Sequence, residues 1–236
     1  MPAEGFEGVE FFEEARPPTP ESLEGCPQGE VRGIVFYPDE RLAQVSEDVP
    51  QDFWGDQLNK LVADLVTTMY MCGGVGLSAI QVGVPLRVFV CDIFAQGAPP
   101  RGPQKNQLLT VVNPVVKVVD PKDVRTHREG CLSFPSVSEV VERPDKIVLQ
   151  ARDRFGNAYA LPPDGILSRV IQHEVDHLDG LTFLDRMKPL AKKSAMKSIK
   201  RFHSGVSDGT IRVRPKPKNP PKQATRKANR KKRKRR

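Results

Sequence analysis

The stretch Gln172-His173-Glu174-Val175-Asp176-His177 decides how the rest of the chain is read. It has the form His-Glu-x-x-His. On a helix, residues four apart stand one above the other, so His173 and His177 offer two imidazoles to one metal ion. Glu174, beside the first of them, is placed to act as general base toward the attacking water. Leu167, Val170, Ile171 and Leu178 share one face around this motif. With Asp164 where a cap belongs and Gly180 where a helix stops, the spacing predicts a buried helix between those two residues.

Two histidines leave one protein ligand to find, because a catalytic metal site usually takes three and keeps a position open. The continuation His177-Leu178-Asp179-Gly180-Leu181-Thr182-Phe183 follows the metzincin pattern until Phe183 takes the place of its third histidine. Of the other histidines, His127 and His203, the second is expected beyond the last helix, beside a basic tail. Cys131 is the better candidate. It stands in Glu129-Gly130-Cys131-Leu132-Ser133-Phe134-Pro135, whose Gly and Pro punctuation suggests an irregular turn carrying a thiolate. Taken alone, a single cysteine is more often a small buried hydrophobe. Two histidines and a thiolate fit Zn(II) or Fe(II).

Further out, Gly74-Val75-Gly76-Leu77-Ser78-Ala79-Ile80-Gln81 precedes Glu129-Gly130-Cys131-Leu132-Ser133, which precedes the histidine motif. These three segments, in this order, closely resemble the motifs of peptide deformylase, and the resemblance covers roughly residues 31 to 190, including Tyr37-Pro38-Asp39, Arg41-Leu42 and Asn113-Pro114. Two positions depart from the commonest pattern: Ser78 stands where alanine is usual and Ile80 where proline is usual. Neither is expected to carry chemistry.

The resemblance implies a metal-dependent hydrolase that removes the N-formyl group from the formyl-methionine of nascent polypeptides and releases formate. It implies Cys131, His173 and His177 as ligands of one divalent metal, with Fe(II) as the working, easily oxidised ion and Zn(II), Ni(II) or Co(II) as substitutes. Glu174 is the base, and the Gln81 side chain and Leu132 backbone N–H are the donors to the tetrahedral oxyanion. Gly74, Val75, Gly76 and Gly130 shape the substrate site by backbone geometry. Glu129 reads either as a solvated loop acid or as a bidentate partner for Arg143 that fixes the Cys131 turn. Two rivals remain: a His-Glu-x-x-His metallopeptidase cutting peptide bonds, weakened by Phe183, and a nucleic-acid-binding protein with a degenerate domain, weakened by the intact motifs.

Periodicity supplies the scaffold. Leu58, Leu61, Val62, Leu65, Val66 and Met69 recur at helical spacing, and Gly73-Gly74 ends that helix. Residues 31–37, 86–92, 108–119 (interrupted at Asn113-Pro114), 137–142, 147–152 and 158–161 read as strands, with a surface loop at 98–106 and a hairpin-like turn at Phe155-Gly156-Asn157. Pro189 opens a last helix to about Phe202, with Leu190, Met196 and Ile199 on its apolar side. Short antiparallel strands packed around the buried histidine helix make an α+β fold, which is also the deformylase-like fold that the resemblance implies.

The 236 residues suffice for one catalytic domain with tails. Residues 1–30, with eight glutamates and a Pro17-Pro18-Thr19-Pro20 run, read as an acidic flexible extension, residues 31–205 as the catalytic domain with its C-terminal helix, and residues 206–236 as a basic disordered tail. The formal charge of +8 misleads, since residues 211–236 hold 14 Lys or Arg and no acid, leaving 23 basic against 29 acidic side chains elsewhere. A tail of that charge favours a polyanion, and ribosomal RNA is the expected partner of an enzyme acting on nascent chains. No apolar run approaches membrane-spanning length and no secretory or transit signal is evident, so a cytoplasmic protein is expected. The four cysteines lack CxxC spacing, which argues against a zinc knuckle or a disulfide framework.

Overall fold

The computed structural model describes residues 27–93, 108–135 and 137–207. The stripe from Leu58 to Met69 forms α1 (Asp56–Cys72), and all six of its apolar residues are buried. Gly73 closes it in the left-handed conformation, φ 72°, with its N–H donating to Met69 and Tyr70 carbonyls. Any side chain there would resist that backbone, which is why glycine ends the helix.

The chain turns from α1 into β1 (Gly76–Ser78), a short 3-10 turn over Ala79–Val82, and then β2 (Val88–Cys91) and β3 (Leu109–Val118). β4 (Val124–Gly130) and β5 (Ser138–Pro144) form a separate hairpin, and β6 (Ile147–Arg152) and β7 (Ala158–Leu161) return to the main sheet. That sheet is antiparallel in the order β1-β2-β3-β6-β7. One of its faces packs on α1 through Leu77, Val88, Val90 and Val112. The other packs on α2 (Gly165–Leu178) through Phe89, Val111, Leu149, Ile171 and Leu178. Each such buried aliphatic or aromatic side chain contributes about 1.5–3 kcal/mol. The histidine helix is thus held between the sheet and the β4–β5 hairpin, as an α+β fold with short antiparallel strands requires.

Several expectations need correction. Residues 31–37 form no strand, because their backbone donors go to separate partners rather than to one ladder: Arg32 N–H to Thr68 Oγ1, Val35 N–H to Gln81 O and Tyr37 N–H to Ser133 O. This segment laces α1, the Gln81 turn and the Cys131 turn together. β4 was not expected as a strand, since Val124 to Arg128 are all exposed and show no alternation. At Asn113-Pro114 β3 does not stop. It bulges, with Asn113 at φ 50° and a register shift between Val112 and Val115. Asp164 stands at the start of α2 without a side-chain capping bond. The last helix, α3 (Pro189–Ser207), runs past Phe202 and contains His203, whose ring lies 2.8 Å from Tyr37 O. Of its expected apolar residues Leu190 is exposed, whereas Met196 and Ile199 pack inward, joined by Ala195 and Phe202. The loop at 98–106, nearly all of the acidic extension and nearly all of the basic tail lie outside the described residues.

Candidate functional site

The α2 helix presents His173, Glu174 and His177 from its buried middle, and the connection between β4 and β5 brings Cys131 against them. Cys131 Sγ lies 3.2 Å from His177 Nε2, and one ligand atom from each of Cys131, His173 and His177 falls within 4.8 Å of the others. Ion distances of about 2.3 Å to sulfur and about 2.1 Å to nitrogen put ligand atoms at such separations. No other group of three or more His, Cys, Asp or Glu with metal-holding geometry occurs among the described residues. His203 is in α3 and His127 on an exposed strand, so neither joins the cluster.

His173 owes its orientation to Glu129. Its Nδ1 lies 3.1 Å from Glu129 Oε2, which leaves Nε2 for a metal, the carboxylate–histidine arrangement that fixes tautomer and ring direction. Arg143 grips the same carboxylate with two hydrogen bonds, Nε to Oε1 at 2.7 Å and Nη2 to Oε2 at 3.0 Å, which is the bidentate pair expected from sequence. Sequence reading missed the rest of this network. Arg169 Nη1 adds a third cation contact to Glu129 Oε1 at 2.6 Å, and Asp176 joins Arg143 at 2.8 Å to Arg186 at 2.7 Å. A signal was present, because Arg169, His173 and Asp176 sit at i, i+4 and i+7, a polar stripe on an otherwise buried helix.

Electrostatics follow from this packing. Burial opposes ionisation of Glu129, but hydrogen bonds from His173 and Arg143 hold its carboxyl well below the usual carboxylate range. Burial disfavours charge on His173, yet Cys131 and Glu129 raise it to about 10, and the same negative partners favour a metal cation in place of that proton on Nε2. Burial, reinforced by the charge on His173 and Arg143, keeps His177 far below its ordinary range and therefore neutral, the form that ligates. Burial pushes Glu174 upward, opposed by His173 and by a hydrogen bond from Ser78.

The Gln81 segment closes the other side. Gln81 Oε1 accepts from Ser78 N–H at 2.9 Å, so Nε2 is turned toward Ser133 Oγ at 3.1 Å and Cys131 Sγ at 3.4 Å. A cleft of about 640 Å³ opens on these groups, with Gly74, Val75, Gly76, Gly130 and Leu132 on its walls. The glycines serve close approach: a Cβ on Gly74 would come 2.9 Å from Leu132 Cδ1, and one on Gly76 would collide with Glu174 Oε1. Of the site residues proposed from the sequence, all but the fully buried His177 line this cleft, together with His127 and Arg169.

Glu174 beside a Cys131–His173–His177 group that could hold a metal ion, across from the Gln81 amide, is an arrangement suited to hydrolysis and points to the metal-dependent hydrolases as the class. The comparisons define the class more closely. The chain belongs to the polypeptide deformylase family, which matches residues 31–193. It is 38% identical over 194 residues to a peptide deformylase of Erythrobacter litoralis, covering 75% of this chain and 99% of that one. It is 39% identical over 170 residues to that of Cellvibrio japonicus, covering 72% and 94%. Among solved structures, a peptide deformylase from Legionella pneumophila superposes with a TM-score of 0.65 at 33% identity over 75% of this chain and 98% of that one. A plant peptide deformylase does so with a TM-score of 0.66 at 29% identity over 76% and 92%.

Proposed function

We infer that the chain is a metal-dependent peptide deformylase, which hydrolyses the formyl amide at the N-terminal formyl-methionine of nascent polypeptides and releases formate. The observation that carries this reading is the juxtaposition of Glu174 with Cys131, His173 and His177 at the base of a cleft whose opposite wall carries the Gln81 amide. A divalent metal would be held by those three side chains, and when bound it would supply Lewis acidity for the hydrolysis. Fe(II) is the ion we propose, with Zn(II), Ni(II) or Co(II) as substitutes, since an N₂S donor set suits these borderline ions.

The chain's own groups then act in sequence. Glu174 takes the proton of the water that attacks the formyl carbon. Gln81 Nε2 and the Leu132 N–H donate to the developing oxyanion, each worth about 2.7–4 kcal/mol if it behaves as other such donors do. Glu174 returns its proton to the amine nitrogen as the C–N bond breaks, leaving formate and a free N-terminus. Gly74, Val75, Gly76 and Gly130 let the substrate backbone approach closely.

Residues 31–205 would form the catalytic body between an acidic N-terminal extension and a basic tail, and we propose that the tail docks on ribosomal RNA in the cytoplasm. Among the described residues no helix is long and apolar enough to cross a membrane. The test is mass spectrometry of a formyl-Met-Ala-Ser peptide with metal-loaded protein. Loss of the formyl group alone is expected, while cleavage between residues would favour the metallopeptidase instead. Glu174→Gln should keep fold and metal yet lose ~10² or more of the rate, and undiminished turnover would assign the base elsewhere.

A further inference from the structure

The position set aside in the sequence, Ser78, touches the base itself. Ser78 is fully buried on β1, and its Oγ donates to Glu174 Oε2 at 2.5 Å while lying 3.2 Å from the Glu174 backbone oxygen. A hydroxyl that donates to an ionised carboxylate makes a charge-assisted hydrogen bond, stronger than one between neutral groups. Two residues earlier on the same strand, and so on the same face, Gly76 leaves room for the other carboxylate oxygen, since a Cβ there would overlap Glu174 Oε1. Leu77 between them points into the core on the α1 side. A three-residue strand therefore forms a cradle with a donor for one oxygen and a hollow for the other.

We propose that Ser78 is a positioning residue for the deformylation step: its hydroxyl anchors Glu174 Oε2 and so fixes the carboxylate with Oε1 over Gly76, facing the cleft. The same residue orients the opposite partner, because its N–H holds Gln81 Oε1 and thereby turns Nε2 inward. Base and amide donor are set by one residue, the base through the side chain and the amide through the backbone. Replacing the side chain removes the first, together with the capping contact that Ser78 Oγ accepts from the Gln81 backbone N–H, but keeps the Ser78 N–H that holds Gln81 Oε1. Alanine, the usual family residue here, leaves Gln81 oriented and lets Glu174 sample other rotamers, so this chain uses a serine to confine a carboxylate that an alanine would leave to packing alone. The proposal rests on Glu174 being the base.

The test combines Ser78→Ala, Ser78→Cys and Glu174→Ala, singly and as the Ser78→Ala/Glu174→Ala double variant, in metal-loaded full-length protein acting on formyl-Met-Ala-Ser. Ser78→Ala is expected to lower kcat about tenfold, the low end for a hydrogen bond to a charged group, with KM and metal content unchanged. Ser78→Cys keeps the volume but offers a weak donor, and should follow Ser78→Ala rather than the parent. A crystal structure of Ser78→Ala should show Glu174 Oε2 displaced from its place over β1 while the Gln81 amide stays put. In the Glu174→Ala background, Ser78→Ala should cost nothing further, because its effect passes through the carboxylate. Unchanged kcat in Ser78→Ala, an equal loss in both backgrounds, or loss of metal would each overturn the positioning role while leaving Glu174 as base. Full turnover by Glu174→Ala would instead overturn the base assignment, so the two failures are separable.

Discussion

Glu129 shows how a single buried carboxylate ties several elements of the site together. It faces Arg143, Arg169 and His173, so Glu129→Gln takes the carboxylate partner from Arg169 and leaves Arg143 with Asp176 alone in a poorly solvated region. Breaking such a pair by removing one partner costs about 3–5 kcal/mol, and urea unfolding of the variant should register a loss of that order. Its pH dependence has a definite sign. The folded-state carboxyl lies below its ordinary value of 4.5, so its contribution is fully present above that value and is lost as pH falls toward the folded-state pKa. Between pH 6 and 3 the parent should therefore lose stability more steeply than Glu129→Gln, and parallel curves would show that the carboxylate is not held in its charged form. The ligands make a separate prediction. Cys131→Ala, His173→Ala and His177→Ala should each abolish tight metal binding in anaerobically purified protein, and retention of one metal per chain by the Cys131 variant would remove it from the ligand set.

At the scale of elements, β1 gives neighbouring residues different duties by alternation alone. Gly76 faces Glu174 and Leu77 faces the α1 core. Gly76→Ala should thus reduce formate release by ~10² or more with nearly full thermal stability, since the added methyl displaces the base. Leu77→Ala should destabilise by about 2–5 kcal/mol through a core cavity. Equal behaviour of the two variants would mean that the strand does not separate the functions. The same alternation explains what the sequence disclosed. α1 and α2 were legible because their apolar residues recur at 3.6 spacing and glycines end them, and the candidate site was legible because its residues lie in three short motifs, two of which hold the proposed ligands. β4 was not, because it is exposed nearly throughout and owes its shape to pairing with β5 across the Cys131 turn. The extended segment at 31–37 has strand-like composition, but its partners are scattered in sequence, and only the tertiary fold reveals that they are not a ladder. Ser78 was noticed but set aside for a related reason: its partner is 96 residues away.

Across the whole molecule, charge is divided between body and tail. Residues 211–236 hold 14 Lys or Arg with no acid, whereas the remainder carries 23 basic against 29 acidic side chains, so attraction to a polyanion has to come from the tail and is opposed by the body. Docking of this kind draws on release of counterions condensed on the nucleic acid, and its affinity falls steeply with salt. The proposed hydrolytic groups all lie between Gly74 and His177, away from the tail in the sequence, so a short free peptide is expected to reach them without it. Truncation after Thr210 is accordingly expected to leave turnover of formyl-Met-Ala-Ser nearly unchanged, while co-sedimentation with ribosomes at low salt drops sharply and loses its salt dependence. A truncated protein that sediments as well as the full chain would take the tail out of ribosome docking. Full-length binding indifferent to salt would replace counterion release with a specific, largely non-ionic contact.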